Sequence, residues 1–320
     1  MVMLKENRVL LAKLEAAVGT PIALSATDGV FCVYDVDINP SIDFLPRPQS
    51  GGMSQLVGKT AGESCQLSFK LNAYGDGSGG VPAWATTFLP ACGLVQKSAK
   101  VFTPSSKGIG VIDTVDATAT PRSLTMAVHE DDGGLKKQLF GAAGNVRVIF
   151  AAGQMVTLEF TFTGVWTDVA DNATMALPNY PADIPLSTLG TTMTWSGATV
   201  PCWSTIALDM GNEVSLRPCA TQAKGFVSSI ITNRKVAGTI DPESSQVGTF
   251  DPYNDWTDST TAALSIAVTD SADTLTVACP KVQIVSVAEA DRNGMVTDNV
   301  GFQACANTDA GDDEISITFS

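Results

Sequence analysis

The sequence predicts a mainly β protein with two tandem β-sandwich or β-barrel domains, each with a short flanking helix. Two hairpin patterns support the fold class. Apolar and polar residues alternate around an Ala-Ala-Gly-Gln turn in residues 145–164 and around Asp-Arg-Asn-Gly in residues 280–306. Composition agrees, because turn-forming and β-forming residues abound while long helical periodicity is rare. An order of elements that occurs twice indicates the two domains.

Length, charge and cysteine usage narrow the class of protein. The 320 residues are 44% hydrophobic, which is enough material for a large core. A net charge of -14 argues against binding nucleic acid by neutralising its phosphates. The seven cysteines lack CxxC spacing and lie mostly in apolar runs, which favours reduced, buried thiols in a cytosolic protein. Neither a signal peptide nor a bilayer-spanning apolar run is recognised.

The N-terminal segment matches an amphipathic helix over residues 4–18. Leu10, Leu11 and Leu14 fall on one helical face, and a Gly-Thr-Pro sequence follows as a stop signal. Two interpretations remain open for this helix. It packs on its own domain, or it forms an arm that docks on a neighbouring subunit, as terminal segments outside a core often do.

The next segments predict two strands joined by a long loop. Residues 31–45 read as a strand with a polar break at Asn39-Pro40, and residues 63–73 alternate again. Residues 46–62 form the loop between them. Because unstructured loops of this length in compact domains are often functional, this loop is a candidate contact region.

The same order of strand, loop, strand, short helix, strand and hairpin occurs in both halves of the chain. In the first half a helix-like segment at residues 135–141 precedes the hairpin. We interpret the shared order as an internal duplication, with residues 1–175 as the first domain, 176–194 as a linker and 195–320 as the second domain. The matched segments are 31–48 with 201–218, 82–88 with 252–260, 123–131 with 263–271, and the first hairpin with the second.

Motifs for catalysis, cofactors and metals are not recognised. Gly58-Lys59-Thr60 resembles the end of a P-loop, but Met53 stands where that motif needs glycine. His129 is the only histidine, so neither a transition-metal site nor a Ser-His-Asp triad is expected. The acidic segment 309–314 lacks the EF-hand pattern and is typical of a solvated turn. The sequence therefore predicts no enzyme, no metal site and no cofactor.

Several segments in order carry a family resemblance that spans nearly the whole chain. They are RVLLAKLEAAVGT, VDINPSIDFLPRP, PAWATTFLPACG and SLTMAVHEDDGGLKKQLFGAAGNVRVIFAAGQMVTLEFTFTG, followed by STIALDMGNEVSLRP, the IDPE segment, ACPKVQIVSV and GDDEISITF. Each is a strand and turn pattern, and their order is the specific feature. The chain resembles major tail tube proteins of long-tailed, siphovirus-like bacteriophages. The resemblance implies tail-tube-like domains that form rings, and rings that stack into a hollow tube for DNA passage.

The resemblance also implies contacts and partners. In the family, the long loop between the first two strands and the terminal segments contact the next ring. Since family members commonly have one tube fold per chain in a six-fold ring, two folds per chain predict a trimer with pseudo-six-fold symmetry. Further expected partners are the tape-measure, tail terminator and baseplate proteins, in the virion tail after assembly in the host cytoplasm. The implied ring-stacking residues are Leu10, Leu11, Leu14, Arg47, Gln49, Met53, Leu56, Lys59, Arg217 and Lys224.

The acidic charge suggests an electronegative bore. Residues 1–180 contain 13 Lys and Arg against 16 Asp and Glu, and residues 181–320 contain 6 against 17, which leaves -3 and -11. Because a basic bore would bind DNA and stall it, an acidic wall would let DNA pass without specific binding. The alternative is that these acids keep the outer surface soluble. The predicted lumen-facing residues are Asp35, Asp37, Glu159, Asp209 and Asp241.

A second class of function stays open at this stage. A β-sandwich binding module, secreted or attached to a virion, could recognise a surface polymer. The missing export signal and the odd number of cysteines disfavour the secreted form. A binding face would also cluster exposed aromatic residues, whereas the five tryptophans are scattered along the sequence.

Overall fold

The computed structural model describes residues 8–29, 31–49, 51–106, 122–130, 134–171 and 183–320. It is mainly β, with 61% strand and 6% helix, and this confirms the predicted fold class. The two predicted short helices are α1 (Ala83–Phe88) and α2 (Pro252–Thr257). Pro82 precedes α1, and Gly93 ends the 3-10 turn after it with a φ of 77°. Glycine adopts this left-handed conformation readily and so closes the segment.

Strands of the first half form an antiparallel array in the order β1-β6-β7-β8-β3-β2. A short hairpin, β4 with β5, lies outside this path. Since β2 ends the path, its outer edge pairs with no other strand among the described residues. The bounds are β1 (Arg8–Leu14), β2 (Val33–Arg47), β3 (Leu56–Asn72), β4 (Leu94–Ser98), β5 (Val101–Pro104), β6 (Leu124–Glu130), β7 (Leu135–Ala151) and β8 (Thr157–Asp171).

Strands of the second half follow the order β9-β15-β16-β17-β14-β11, with β10 beyond β9. Strands β12 and β13 form a separate two-stranded sheet. The bounds are β9 (Thr192–Trp195), β10 (Ala198–Thr199), β11 (Trp203–Asp209), β12 (Asn212–Pro218), β13 (Phe226–Arg234), β14 (Ala237–Pro242), β15 (Thr261–Asp270), β16 (Asp273–Arg292), β17 (Met295–Ala304) and β18 (Ser316–Phe319).

Two strand pairs join the halves into one sheet. Strand β11 pairs with β14 and also with β7, where Leu208 lies opposite Val148. The C-terminal strand β18 pairs with β16 and with β5, where Ile317 lies opposite Phe102. Backbone pairing therefore runs between the halves at two places, in addition to the covalent connection.

The aromatic core fixes which face of the first-half sheet is buried. Phe69, Phe160 and Phe162 lie on one face of β3 and β8, and Phe88 of α1 packs on them with ring-centroid distances of 5.0, 5.3 and 6.1 Å. Such rings bury large apolar areas and dominate core energetics. Because side chains alternate along a strand, the intervening polar residues lie on the opposite face.

The predicted helix at residues 4–18 is wrong where the structure describes it. Residues Arg8–Leu14 form β1, whose backbone pairs with β6 and places Leu10 opposite Val128. Both Leu10 and Leu11 are buried, although they point to opposite faces of the strand. A strand covered on both faces has a continuous apolar run, which resembles a buried helix in sequence. Residues 4–7 lie outside the described residues.

Three further predictions need correction. The helix-like segment 135–141 belongs to β7, which pairs with both β6 and β8. The predicted long loop at 46–62 is mostly strand, since β3 begins at Leu56. Strand β2 also continues through the expected break, with Pro40 opposite Cys65. An edge strand tolerates proline because its outer side needs no backbone donor within the chain.

Candidate assembly surfaces

The five predicted lumen-facing acids lie on the sheet face opposite the core. Glu159 alternates with buried Leu158 and Phe160, and Asp37 lies between buried Val36 and Ile38. In the second half, Asp209 follows buried Leu208 and Asp241 follows buried Ile240, so both project to the face away from these apolar residues. Asp35 reaches the same face through an ion pair with Lys70. We call this surface the polar face.

A row of ion pairs crosses four strands of the polar face. Lys70 Nζ lies 3.4 Å from Asp35 Oδ2 and 3.6 Å from Glu159 Oε1. Arg147 Nη1 lies 3.6 Å from the other Glu159 oxygen. The hydrogen bond to Asp35 and the nearby charge of Glu159 raise the pKa of Lys70 above its usual value. Cations therefore compensate part of the acidic charge in the first half.

Asp209 and Asp241 of the second half accept hydrogen bonds that fix the chain around β11. Asp209 Oδ1 accepts hydrogen bonds from Asn145 Nδ2 at 2.7 Å and from the Gly211 amide at 2.8 Å. Asp241 Oδ1 accepts from the amides of Ser204 at 2.8 Å and Thr205 at 2.5 Å. These two carboxylates consequently have a structural role, whichever surface they line.

The structure places half of the predicted ring-stacking residues on one projecting element. Residues 41–64, the outer parts of β2 and β3 with their turn, are called the first hairpin. Val57 is 91% exposed and Phe44 is 63% exposed on it. Exposed apolar clusters of this kind mark interaction surfaces in soluble proteins. The predicted residues on this hairpin are Arg47, Gln49, Met53, Leu56 and Lys59.

A second hairpin, formed by β12, β13 and their turn at residues 212–234, packs against the first half of the chain. Ser229 Oγ donates a hydrogen bond to the Thr163 carbonyl at 2.5 Å, and Asn212 Nδ2 donates to the Gly144 carbonyl at 3.0 Å. Ser228 and Ser229 are fully buried. The sequence does not reveal this hairpin as a docked element, because its strands are short and its buried residues include serines.

The two predicted stacking residues of the second hairpin have different surroundings. Lys224 Nζ lies 2.6 Å from Glu63 Oε2, so its charge is engaged within the chain. Arg217 is exposed near the end of β12. The N-terminal candidates Leu10 and Leu11 are buried in the chain's own core, so in this arrangement they offer no apolar surface to a neighbour.

Arg234 anchors the C-terminal acidic segment, which is ion-paired and not the solvated turn predicted for it. Arg234 Nε lies 2.5 Å from Glu314 Oε1, and Nη2 lies 3.0 Å from Asp312 Oδ1. Burial alone would raise the pKa of Asp312, but hydrogen bonds from Ser106 and Arg234 hold it below its usual value. This cluster ties the base of the second hairpin to the segment before β18.

Together the continuous sheet, the projecting first hairpin and the docked second hairpin define a structural β subunit built for association. The sequence model of the family described as phage tail tube protein matches residues 6–319. The chain therefore belongs to the phage tail tube protein family and is a structural subunit of the tail tube in the virion. No curated protein matches the chain in sequence.

The family assignment supports self-assembly into tube rings within the phage tail. It gives no support to the alternative of a surface-binding module. Among the described residues, no helix is long and apolar enough to cross a membrane.

Proposed function

We propose that each chain contributes two tail-tube units to a ring, so that three chains form a ring with pseudo-six-fold symmetry. One observation carries this proposal. The strand order β1-β6-β7-β8-β3-β2 has the same pattern of connections as β9-β15-β16-β17-β14-β11. In each half the paired strands of the main hairpin, β7 with β8 or β16 with β17, have two neighbouring sides. On one side lies the strand that comes just before them in the chain, β6 or β15. On the other side lie two earlier strands, β3 and β2 or β14 and β11. The predicted units are residues 1–175 and 195–320 with a linker at 176–194, but β9 begins at Thr192, so we propose that the second unit starts there. The linker lies partly outside the described residues.

The strand pairing that joins the two halves suggests how copies of the chain would close into a ring. Strand β11 of the second half pairs with the free edge of β7 in the first half. The matching edge of β16 beyond Gln283 pairs with no strand among the described residues, and neither does the outer edge of β2. Strand β2 of one copy on β16 of the next would repeat the internal joint. Repeated heterologous contacts of this kind generate rings when the rotation closes.

We further propose that the polar face lines the channel and that DNA passes along it without specific binding. Support comes from the five acids that share this face and from the concentration of acidic charge in the second half. An acidic wall repels phosphates, and salt screens the repulsion between neighbouring acids over ~8 Å at physiological ionic strength. Tape-measure, tail terminator and baseplate proteins remain expected partners, with assembly in the host cytoplasm.

Native mass spectrometry of purified rings tests the stoichiometry. The proposal predicts a ring mass of three chains. A mass of six chains would contradict it, even if the rings stack into tubes. A map of the assembled tube tests the channel separately, because a neutral or basic bore surrounded by an acidic outer surface would exclude the proposed orientation of the polar face.

A further inference from the structure

A groove lies on the second half of the chain, where β14 begins and β17 ends. Its volume is ≈ 420 Å³, and Val236, Val285, Phe302 and Ala304 give it an apolar floor. Arg234 and Glu314 stand at its rim, paired with each other. Lys235 and Gln303 line the groove as well, so it suits a partner that inserts apolar side chains between a few polar groups.

The matching place in the first half is filled by the second hairpin. Leu67 pairs with Phe162 there, as Gly238 pairs with Phe302 in the second half. Counting along the strands from these pairs, Thr163 corresponds to Gln303 and Glu63 corresponds to Arg234. The Thr163 carbonyl accepts the hydrogen bond of buried Ser229, and Glu63 binds Lys224. The groove is thus the unoccupied counterpart of an occupied site.

The first hairpin is the counterpart of the docked second hairpin, but it is exposed. By the same count, Val57 of the first hairpin corresponds to Ser228 of the second. Ser228 is 0% exposed because the second hairpin is docked, whereas Val57 is 91% exposed. Ile42, Phe44 and Leu45 on the neighbouring strand are also exposed. The first hairpin therefore exposes apolar side chains where its counterpart is docked, and no groove among the described residues of its own chain covers them.

We propose that the first hairpin of one copy lies in the groove of the adjacent copy of the same ring. This contact rests on the proposed ring of duplicated units. In it, the contact between two chains has the same geometry as the contact between the two halves of one chain. This proposal replaces the expectation that the first hairpin contacts the next ring, because the contact within the chain joins neighbouring units of one ring. The register shift of β2 between Ile42 and Phe44 gives the hairpin a place to bend toward that neighbour.

Disulfide cross-linking tests the contact in the assembled full-length protein. A Cβ on Gly225 would lie 3.3 Å from the Gly62 Cα, which is within disulfide reach, and the corresponding pair between copies is Ser54 with Asn233. The variant carrying Ser54→Cys and Asn233→Cys should form a covalent circle of chains when assembled rings are oxidised. Each single variant serves as the control for reaction with native cysteines.

The products separate the possible outcomes. A circle of three chains agrees with both the contact and the ring. A circle of six keeps the contact but overturns the three-chain ring. Cross-linked ladders longer than a closed circle would show that the hairpin contacts another ring. If the double variant gives no product of its own, the hairpin contacts neither the neighbouring copy nor another ring. Both results overturn the proposed contact.

A charge substitution provides the second test. Val57→Asp should abolish ring formation and leave the urea midpoint of the monomer unchanged, because the side chain is exposed there. Val247→Asp is the matched control, since Val247 is also an exposed valine but lies away from the first hairpin. Sedimentation velocity measures both. Equal assembly of Val57→Asp and Val247→Asp would overturn the proposal.

Discussion

Lys224 Nζ lies 2.6 Å from Glu63 Oε2, and this ion pair links the turn of the second hairpin to the base of the first. The same contact includes a backbone hydrogen bond from the Glu63 amide to the Lys224 carbonyl at 3.0 Å. Both side chains are mostly buried. The second hairpin is therefore latched to the first half of its own chain at its far end.

Removing the charge of Glu63 should loosen this latch. Glu63→Gln leaves the backbone bond and the shape intact, so we expect a loss of about 1 kcal/mol or less in the free energy of unfolding. Urea denaturation measures the change, and a double-mutant cycle with Lys224→Met isolates the pair. If the two single variants add without coupling, the ion pair contributes nothing to docking.

A side chain at Gly141 should displace the second hairpin. Gly141 has a φ of 59°, and a Cβ on it would lie 2.9 Å from the Ser228 Cα. Gly153→Ala is the matched control, because Gly153 has a φ of 71° but nothing within 4 Å of a Cβ. Gly141→Ala should cost about 1–3 kcal/mol more than this control, since overpacking adds to the backbone strain. Hydrogen exchange in β12 and β13 should rise only in Gly141→Ala, and equal stability of the two variants would contradict the packing.

Acid should weaken the anchor at Arg234. The folded-state pKa of Asp312 lies below its usual value of 3.8, because hydrogen bonds from Ser106 and Arg234 outweigh the opposing effect of burial. A depressed pKa gives stability that is present above the unfolded-state pKa and is lost as pH falls through the folded-state value. Asp312→Asn should therefore flatten the fall in unfolding free energy below about pH 3.8, and Asp309→Asn, the same substitution at an exposed residue three positions earlier, is the matched control. A fall in Asp312→Asn as steep as in the unsubstituted protein would contradict this.

Reversing a charge on the polar face should impair DNA passage more than assembly. Asp37 is exposed and hydrogen-bonds only locally to Asn39 among the described residues, so Asp37→Lys should leave tubes intact. A lysine in the bore would attract phosphates and slow DNA delivery. Asp309→Lys gives the same charge change at an exposed turn outside the polar face and is the control. Phage particles carrying each variant can be compared for tube length and for the rate of DNA ejection; normal ejection with Asp37→Lys would contradict the proposed lining.

Alternation in the sequence was sufficient to predict the fold class and the polar face. Strands such as β8 have one buried and one exposed side, so Leu158 and Phe160 separate cleanly from Glu159. Strand β1 lacks this signal because Leu10 and Leu11 are both covered. Its helix-like spacing was therefore misleading, and only pairing with β6 reveals its conformation.

The paths of the two hairpins could not be predicted from local sequence. Residues 46–62 are rich in glycine and read as loop, yet pairing between β2 and β3 keeps much of the segment extended. In the second half, Gly211 has a φ of 59° and lies against Lys235, where the hairpin leaves the main sheet. A lone glycine inside a strand pattern signals such a bulge but does not tell which surface the bent hairpin will cover.

Electron cryo-microscopy of the assembled tube tests the three-chain ring most directly. The reconstruction should show three chains per ring, with two similar β units alternating around the channel and with each first hairpin seated on the neighbouring chain. Six chains per ring, or halves of the chain that do not occupy equivalent places around the channel, would contradict the duplicated-unit arrangement.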